Sequence, residues 1–271
     1  MDKIGLIAGY GKLPLIWAKK AQKHDIDVHA FPISEECSTD LNKHTSTTDN
    51  LSLTQLDTLI NKLKEYEIKQ IVLLGKVNKK FFYEMNNFDQ RFIKLFKNTD
   101  NLEDHTILKK LVEEFDKEGI EVLQQNIFLD DLLVSSGLLN DVEPSDRLLE
   151  DMKYAFQKAK QVANLDIGQT VLIKDKAVLA VEALEGTDQA IKRTGNLVNE
   201  GAVMAKVSKE KHDFRFDIPT IGLDTIKNLI SIKADGLVLE SDKILLIDRE
   251  SVIKLANEAN LSIMAISLEE V

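Results

Sequence analysis

Short apolar runs alternate with stretches of helical periodicity along almost the whole chain, and this alternation limits the fold more than any single motif does. In "KIGLIAGYGKLPLIWAKKAQKHDIDVHAFPI" the run 4–8 is apolar, and Gly9 and Gly11 then interrupt it. Pro14 suits the first turn of a helix, and residues 28–33 are apolar again. Leu56, Leu59, Ile60 and Leu63 share one face of a helix expected over 54–67, and "KQIVLLGKV" reads as a buried strand ending at Gly75. Helical spacing returns over 88–97 and 104–118, followed by the short strand "IEVLQQ". Strands alternating with helices predict a parallel sheet covered on both faces.

Residues 134–147, "VSSGLLNDVEPSDR", gather Ser, Gly, Asn, Asp and Pro, the composition of a linker. Beyond a helix near 147–163 the texture changes. "QTVLIKDKAVLAVEAL" is two β-rich runs joined by "KDK", which predicts a hairpin, and a helix follows from about Asp188. "AVMAKV", "FRFDIP", "GLVLE", "ILLID" and "LSIMAIS" are further expected strands, with helices over 223–233 and 249–259. The expected class is α/β with two domains. Residues 1–133 form an N-terminal Rossmann-like parallel sheet with helices. Residues 134–147 are the linker, and 148–271 form a C-terminal mixed α/β catalytic domain.

Length and charge fit this division. A chain of 271 residues accommodates two ordinary domains. A formal net charge of −10 argues against a nucleic-acid partner, because phosphate binding draws on clustered Lys and Arg. Cys37 is the single cysteine, so no intrachain disulfide forms, and the five histidines make no Cys/His cluster and no HExxH. A cation, where one is used, is expected to be hard and oxygen-ligated, Mg²⁺ or Mn²⁺. No apolar run has the length of a signal peptide core or a membrane span, so the expected compartment is the cytoplasm.

Four stretches carry candidate chemistry. "GLIAGYGKLP" places Gly9 and Gly11 between a strand and a helix, where backbone can approach a phosphate; a plain turn is the alternative. "LLGKVNKK" places Gly75 and Lys76 at the end of a parallel strand, the ligand-binding edge of such sheets; a solvated lysine is the alternative. Residues 79–97 hold six of the sixteen aromatic residues with five basic and two acidic ones. That mixture suits a lipid surface, or an ordinary amphipathic helix with Phe88, Phe92 and Phe96 in the core. The fourth is an acidic set in the C-terminal half: Glu182, Glu185, Asp188, Asp213 and Asp217. Thr187 in "EGTD" can cap a helix, and Asp188 favours its dipole. If "HDFRFDIPTIG" is extended, Asp213, Arg215 and Asp217 share one face. Like charges side by side need compensation, which Arg215 and a divalent cation would supply; a surface ion pair is the alternative.

"GLIAGYGKLP", "LLGKV", "LDIGQTVLIKDKAVLAVEALEGTDQAIKRTG" and "HDFRFDIPTIG", in this order, resemble the LpxI-type UDP-2,3-diacylglucosamine pyrophosphatases. The resemblance runs over nearly the whole chain, and 165–195 with 212–222 carries most of its specificity. It implies a two-domain hydrolase that splits UDP-2,3-diacylglucosamine into UMP and 2,3-diacylglucosamine 1-phosphate (lipid X) in lipid A biosynthesis. It also implies dependence on Mg²⁺ or Mn²⁺ and attack of water on the sugar-side phosphorus. The place implied is the cytoplasmic face of the inner membrane, as a peripheral protein, with a homodimer among the states to test. The resemblance puts the catalytic residues at Asp213, Asp217 and Arg215, with Asp213 as the first choice for the essential aspartate. Metal ligands are expected from Asp213, Asp217 and Glu185. Substrate contacts are expected from Gly9, Gly11, Gly75, Lys76, Thr187, Asp188, Arg193 and Lys206. His212 stands where the family often has glutamine. Two other activities compete: a nucleotide-sugar oxidoreductase built on the N-terminal glycine loop, and a non-catalytic binder of a nucleotide-linked lipid.

Overall fold

The computed structural model describes residues 2–33, 37, 39–52, 54–76, 88–97, 104–210, 212–216 and 218–270. These fall into two compact units. In the first, β1 (Lys3–Ala8), α1 (Leu13–Lys23), β2 (Asp27–Pro32), β3 (Thr47–Thr48), α2 (Leu56–Glu65), β4 (Gln70–Leu74), α3 (Gln90–Phe96), α4 (Asp104–Lys117) and β5 (Glu121–Val122) follow in chain order. The sheet order is β3-β2-β1-β4-β5 and every pair is parallel. The chain therefore winds outward from β1 in one direction, then returns to place β4 on its other side. The C-terminal ends of β1 and β4 are the switch point of a doubly wound sheet, where ligands bind in such folds.

Helix α2 forms as its spacing predicts, with Leu56, Leu59, Ile60 and Leu63 all buried against the sheet's core. Helix α3 is capped by Asp89, whose side chain accepts from the Phe92 amide at 2.8 Å. Phe92 is buried in the core, and Phe88 and Phe96 pack against it at tilted angles with centroids 4.8 and 4.6 Å away. The described part of the aromatic, basic stretch is thus an amphipathic helix facing inward; the part over 79–87 lies outside the described residues. Its arginine is also engaged. Arg91 donates to Asp57 at 2.6 Å and to Glu114 at 3.0 Å, and further to Glu118. Bonds from Lys64 and Arg91 hold the Glu118 carboxyl down at about 2, below its ordinary 4.5. A depressed carboxyl stabilises the fold above its unfolded value, and that contribution is lost as pH falls from 4.5 toward 2. Glu118→Gln is expected to cost about 1–2 kcal/mol near neutrality and to flatten the acid limb of Tm against pH. An unaltered acid limb contradicts this.

The second unit contains β6 (Gly137–Leu138), α5 (Asp146–Asn164), β7 (Thr170–Lys174), β8 (Ala177–Val181), α6 (Thr187–Gly195), β9 (Val203–Lys206), β10 (Thr220–Ile221), α7 (Leu223–Ser231), β11 (Gly236–Glu240), β12 (Leu245–Leu246), α8 (Arg249–Glu258) and β13 (Ser262–Ile266). Its main sheet has the order β6-β13-β11-β9-β7-β8. Strands β9, β11 and β13 are parallel, while β6 and β7 run against their neighbours. Alternate residues of one strand enter two cores. Val203, Ala205 and Val238 pack with Met152 and Phe156 of α5, while Met204, Leu237 and Leu239 pack with Ile191, Ile226 and Val252 on the other side. The near-continuous apolar run of β9 is what burial on both faces requires.

The predicted hairpin is β7–β8, antiparallel, with Asp175 and Lys176 both at positive φ in the turn. Buried Asp151 of α5 fastens it, accepting from the amides of Asp175 (2.8 Å) and Lys176 (3.1 Å).

Three features differ from the sequence expectation. Residues 134–147 are built into the second unit rather than strung between domains. β6 pairs with β13, and buried Asn140 donates to the Leu261 carbonyl and accepts from the Ile263 amide. "FRFDIP" holds no strand among its described residues; strand structure resumes at β10. The segment that begins at Asp213 groups with the first unit, although its neighbours in sequence belong to the second.

Candidate active site

The segment from Asp213 is a turn closed by its own side chain. Asp213 Oδ1 accepts from the Arg215 amide at 3.0 Å, and the Phe216 amide donates to the Asp213 carbonyl at 3.2 Å. The Arg215 guanidinium then folds back on the same carboxylate, with Nε 3.0 Å from Oδ1 and Nη2 2.7 Å from Oδ2. Arg215 and Asp213 therefore meet through a turn, not through the alternation of a strand. The Asp213 hydrogen bonds raise the Arg215 pKa further, so the group stays a cation, and Asp116 adds to this.

Two contacts anchor the turn in the first unit. Phe216 is 5 % exposed and joins the core that includes Phe92 and Phe115. Burying such a ring contributes roughly 1.5–3 kcal/mol. Gln125, just beyond β5, donates its amide to the Phe214 carbonyl at 2.7 Å and its side chain to the Leu73 carbonyl of β4. Gln125 thus links the Asp213 turn to the strand that ends at Leu74, one residue before Gly75.

Gly75 and Lys76 meet the glycine loop after β1. The Gly9 amide donates to the Leu74 carbonyl at 2.8 Å, and Tyr10 and Lys76 exchange two backbone bonds of 2.9 Å. The loops approach so closely that a Cβ on Gly9 would lie 2.3 Å from the Lys76 carbonyl oxygen. Gly75 has φ +92° and would meet Gly9 backbone at 2.8 Å, so neither position tolerates a side chain. The amides of Gly9 and Tyr10 are committed to the neighbouring loop, while Gly11, at φ +108° with open space beside it, faces outward. The sheet's switch point therefore carries Gly9, Gly11, Gly75 and Lys76, and Gln125 ties the Asp213–Arg215 turn to β4 at that edge. Asp217 lies outside the described residues.

The remaining predicted residues lie in the second unit, at the end of β9, just before α6 and along α6. Lys206, 7 % exposed, donates to Thr170 Oγ1 at 3.2 Å and Thr187 Oγ1 at 3.0 Å, and lies 3.7 Å from Glu182 Oε2. Thr187 donates in turn to Glu182 Oε1 at 2.7 Å. Burial pushes the Glu182 carboxyl up, but Lys206, the two threonine hydroxyls and the Gln169 backbone together outweigh it and leave the pKa below the ordinary value. Thr187 caps no amide with its side chain; Gly186 at φ +81° starts α6 instead. Arg193 donates to Glu185 (2.9 Å) and the Val181 carbonyl (2.8 Å), and Asp188 accepts from Asn228 at 2.8 Å. Among the described residues no group of three or more His, Cys, Asp or Glu side chains is placed to hold a metal ion. Of the three expected ligands, Asp213 is engaged by Arg215 and Glu185 by Arg193.

Sequence reasoning missed three polar side chains. Gln125 joins the turn to β4. Lys160 and Glu240 form a buried pair in the second unit, with Nζ 2.9 Å from Oε1. Lys160 carries a readable signal, a lysine on the apolar stripe of Met152, Phe156, Ala159 and Ala163. Gln125 has none, because Leu73 and Phe214, which it bonds, are far away in sequence.

Comparison with known proteins adds to this geometry. The chain is similar along its entire length to a protein of Caulobacter vibrioides, UDP-2,3-diacylglucosamine pyrophosphatase LpxI, at 27% identity over 281 residues, covering 99% of that relative. Among solved structures, an ADP complex of N5-carboxyaminoimidazole ribonucleotide synthetase aligns at TM-score 0.29 and 12% identity. That alignment covers 71% of this chain and 44% of the other. The biotin carboxylase subunit of pyruvate carboxylase aligns at TM-score 0.30 and 14% identity, over 67% and 36%. Both scores are too low to bear on the fold. Two family models match in order, the LpxI N-terminal domain over residues 3–132 and the LpxI C-terminal domain over 135–264, so the chain belongs to the LpxI family.

Proposed function

We propose that this protein hydrolyses the pyrophosphate bond of UDP-2,3-diacylglucosamine, releasing UMP and 2,3-diacylglucosamine 1-phosphate, a step of lipid A biosynthesis. The observation that carries this is the match of both LpxI domains in order, with the Asp213 turn inside the C-terminal span. Water attacks the sugar-side phosphorus, and the uridine monophosphate leaves. Asp213 orients that water and takes its proton; the Arg215 bonds fix the carboxylate's rotamer for the task. The Arg215 cation adds positive charge where phosphate charge must be balanced. Lys76, at the ligand edge of the first unit's sheet, is the proposed second cation toward the phosphates. No Cys/His nucleophile is needed, because water attacks directly.

Mg²⁺ or Mn²⁺ is part of the proposal, as the ion that would neutralise the phosphates. The described side chains do not by themselves provide its ligands. Excess EDTA is expected to lower UMP release by about tenfold or more, with recovery on adding Mg²⁺ or Mn²⁺. Full activity in chelator contradicts the requirement. The proposed site of action is the cytoplasmic face of the inner membrane, a reading supported by the two acyl chains that the substrate carries. Among the described residues no helix is long and apolar enough to cross a membrane. Incubating purified protein with UDP-2,3-diacylglucosamine and following UMP tests the activity itself.

A further inference from the structure

The pairing of β5 with β4 uses amide donors two residues apart. The Glu121 amide donates to the Lys69 carbonyl and the Leu123 amide to the Ile71 carbonyl, both at 2.8 Å. The even spacing of a parallel ladder puts the next bond between the Gln125 amide and the Leu73 carbonyl. That bond is made differently. The Leu73 carbonyl accepts from Nε2 of the Gln125 side chain, and the Gln125 backbone amide donates to the Phe214 carbonyl at 2.7 Å. Gln125 is 6 % exposed, where a polar group left without a partner is costly.

One side chain thus stands in for its own backbone amide. The amide that leaves the ladder is the one that docks the turn carrying Asp213 and Arg215. Without the side-chain donor, the Leu73 and Phe214 carbonyls compete for a single N–H, and the ladder register favours Leu73. All of these groups belong to the first unit. Leu73 is also followed within three residues by Gly75 and Lys76, so the same side chain ties the turn to the strand that leads into the loop of the proposed second cation. We propose that Gln125 is a positioning residue for the hydrolysis: its side chain completes the β4 ladder so that its backbone amide holds the Asp213–Arg215 turn. It acts through that turn and needs no contact with substrate. This rests on the role given to Asp213 above.

The test compares Gln125→Met, Gln125→Glu, Glu118→Gln and Asp213→Ala, all in the full chain. Gln125→Met keeps the length of the side chain and removes the donor. Glu118→Gln loosens ion pairs elsewhere in the same unit and is the control for general loss of stability. Tm is measured for each, and kcat and KM are measured well below the lowest Tm of the set. Gln125→Met is expected to lose about tenfold in kcat with KM within about twofold, because small misplacement of a reacting group affects turnover first. Amide hydrogen exchange over 213–216 is expected to quicken in Gln125→Met and not in Glu118→Gln, which keeps kcat. Gln125→Glu has the parental shape, so it serves also where the methionine variant does not fold. Its carboxyl donates to Leu73 only when protonated, so its kcat relative to the parent is expected to rise as pH falls. Parental kcat in Gln125→Met overturns the proposal, as does a kcat loss without faster exchange, an equal loss in Glu118→Gln, or a flat pH ratio for Gln125→Glu. If Asp213→Ala is inactive while Gln125→Met is fully active, the positioning role fails and that of Asp213 stands. If Asp213→Ala is fully active, both fail.

Discussion

Asp213→Ala is expected to lower kcat by about 10²–10⁴-fold while the protein stays folded and KM changes little. The size follows from the role: a group used mainly as water is deprotonated stabilises the transition state more than the bound substrate. The fold survives because the turn has independent anchors. Phe216 remains buried in the first unit's core, and Gln125 still donates to the Phe214 carbonyl. What is lost locally includes a partly exposed ion pair and the bond to the Arg215 amide, worth about 1–2 kcal/mol together. If Asp213 served only as a surface partner for Arg215, the pattern would invert, with normal kcat and a small fall in Tm. Steady-state kinetics and a melting curve on the one variant separate these cases.

Lys206→Met is expected to destabilise the second unit by about 3–5 kcal/mol, a fall in Tm of about 10 °C or more. Lys206 donates hydrogen bonds to Thr170 and Thr187 and forms an ion pair with Glu182 at 3.7 Å, all within the unit. Removing it strands a mostly buried carboxylate. Among the described residues Glu182 Oε2 has no hydrogen-bond partner, and Lys206 is the cation 3.7 Å from it. Glu182→Gln in the Lys206→Met background is therefore expected to recover much of the loss, because a neutral amide is cheaper to bury. Thermal melts of the two single variants and the double give the coupling directly. A Lys206→Met protein that melts like the parent but has a greatly raised KM would instead make Lys206 a substrate ligand.

The alternation of strands and helices was legible because burial imposes it locally. The stripe of Leu56, Leu59, Ile60 and Leu63 and the paired runs of the β7–β8 hairpin need no distant partner to be read. The Asp213 turn was misread for an equally local reason. Phe214 and Phe216 flank Arg215 with the period of a strand, but the Asp213 carboxylate bonds the Arg215 amide and competes with any ladder. Phe216 then faces the core of a unit whose other residues lie some hundred positions earlier, which no window of sequence displays. The linker over 134–147 failed likewise: Asn140 looks like a loop residue until Leu261 and Ile263 are seen to need its side chain. The residue types of the candidate site were readable from composition and motif, whereas their partners, Gln125 for the turn and Glu240 for Lys160, depend on tertiary contacts.

Hydrolysis in ¹⁸O-labelled water tests the central claim most directly. Purified protein is incubated with UDP-2,3-diacylglucosamine, and both products are weighed by mass spectrometry. Water attacking the sugar-side phosphorus puts one ¹⁸O into 2,3-diacylglucosamine 1-phosphate and none into UMP. Label in UMP would move the attack to the other phosphorus, and no UMP at all would contradict the assigned reaction.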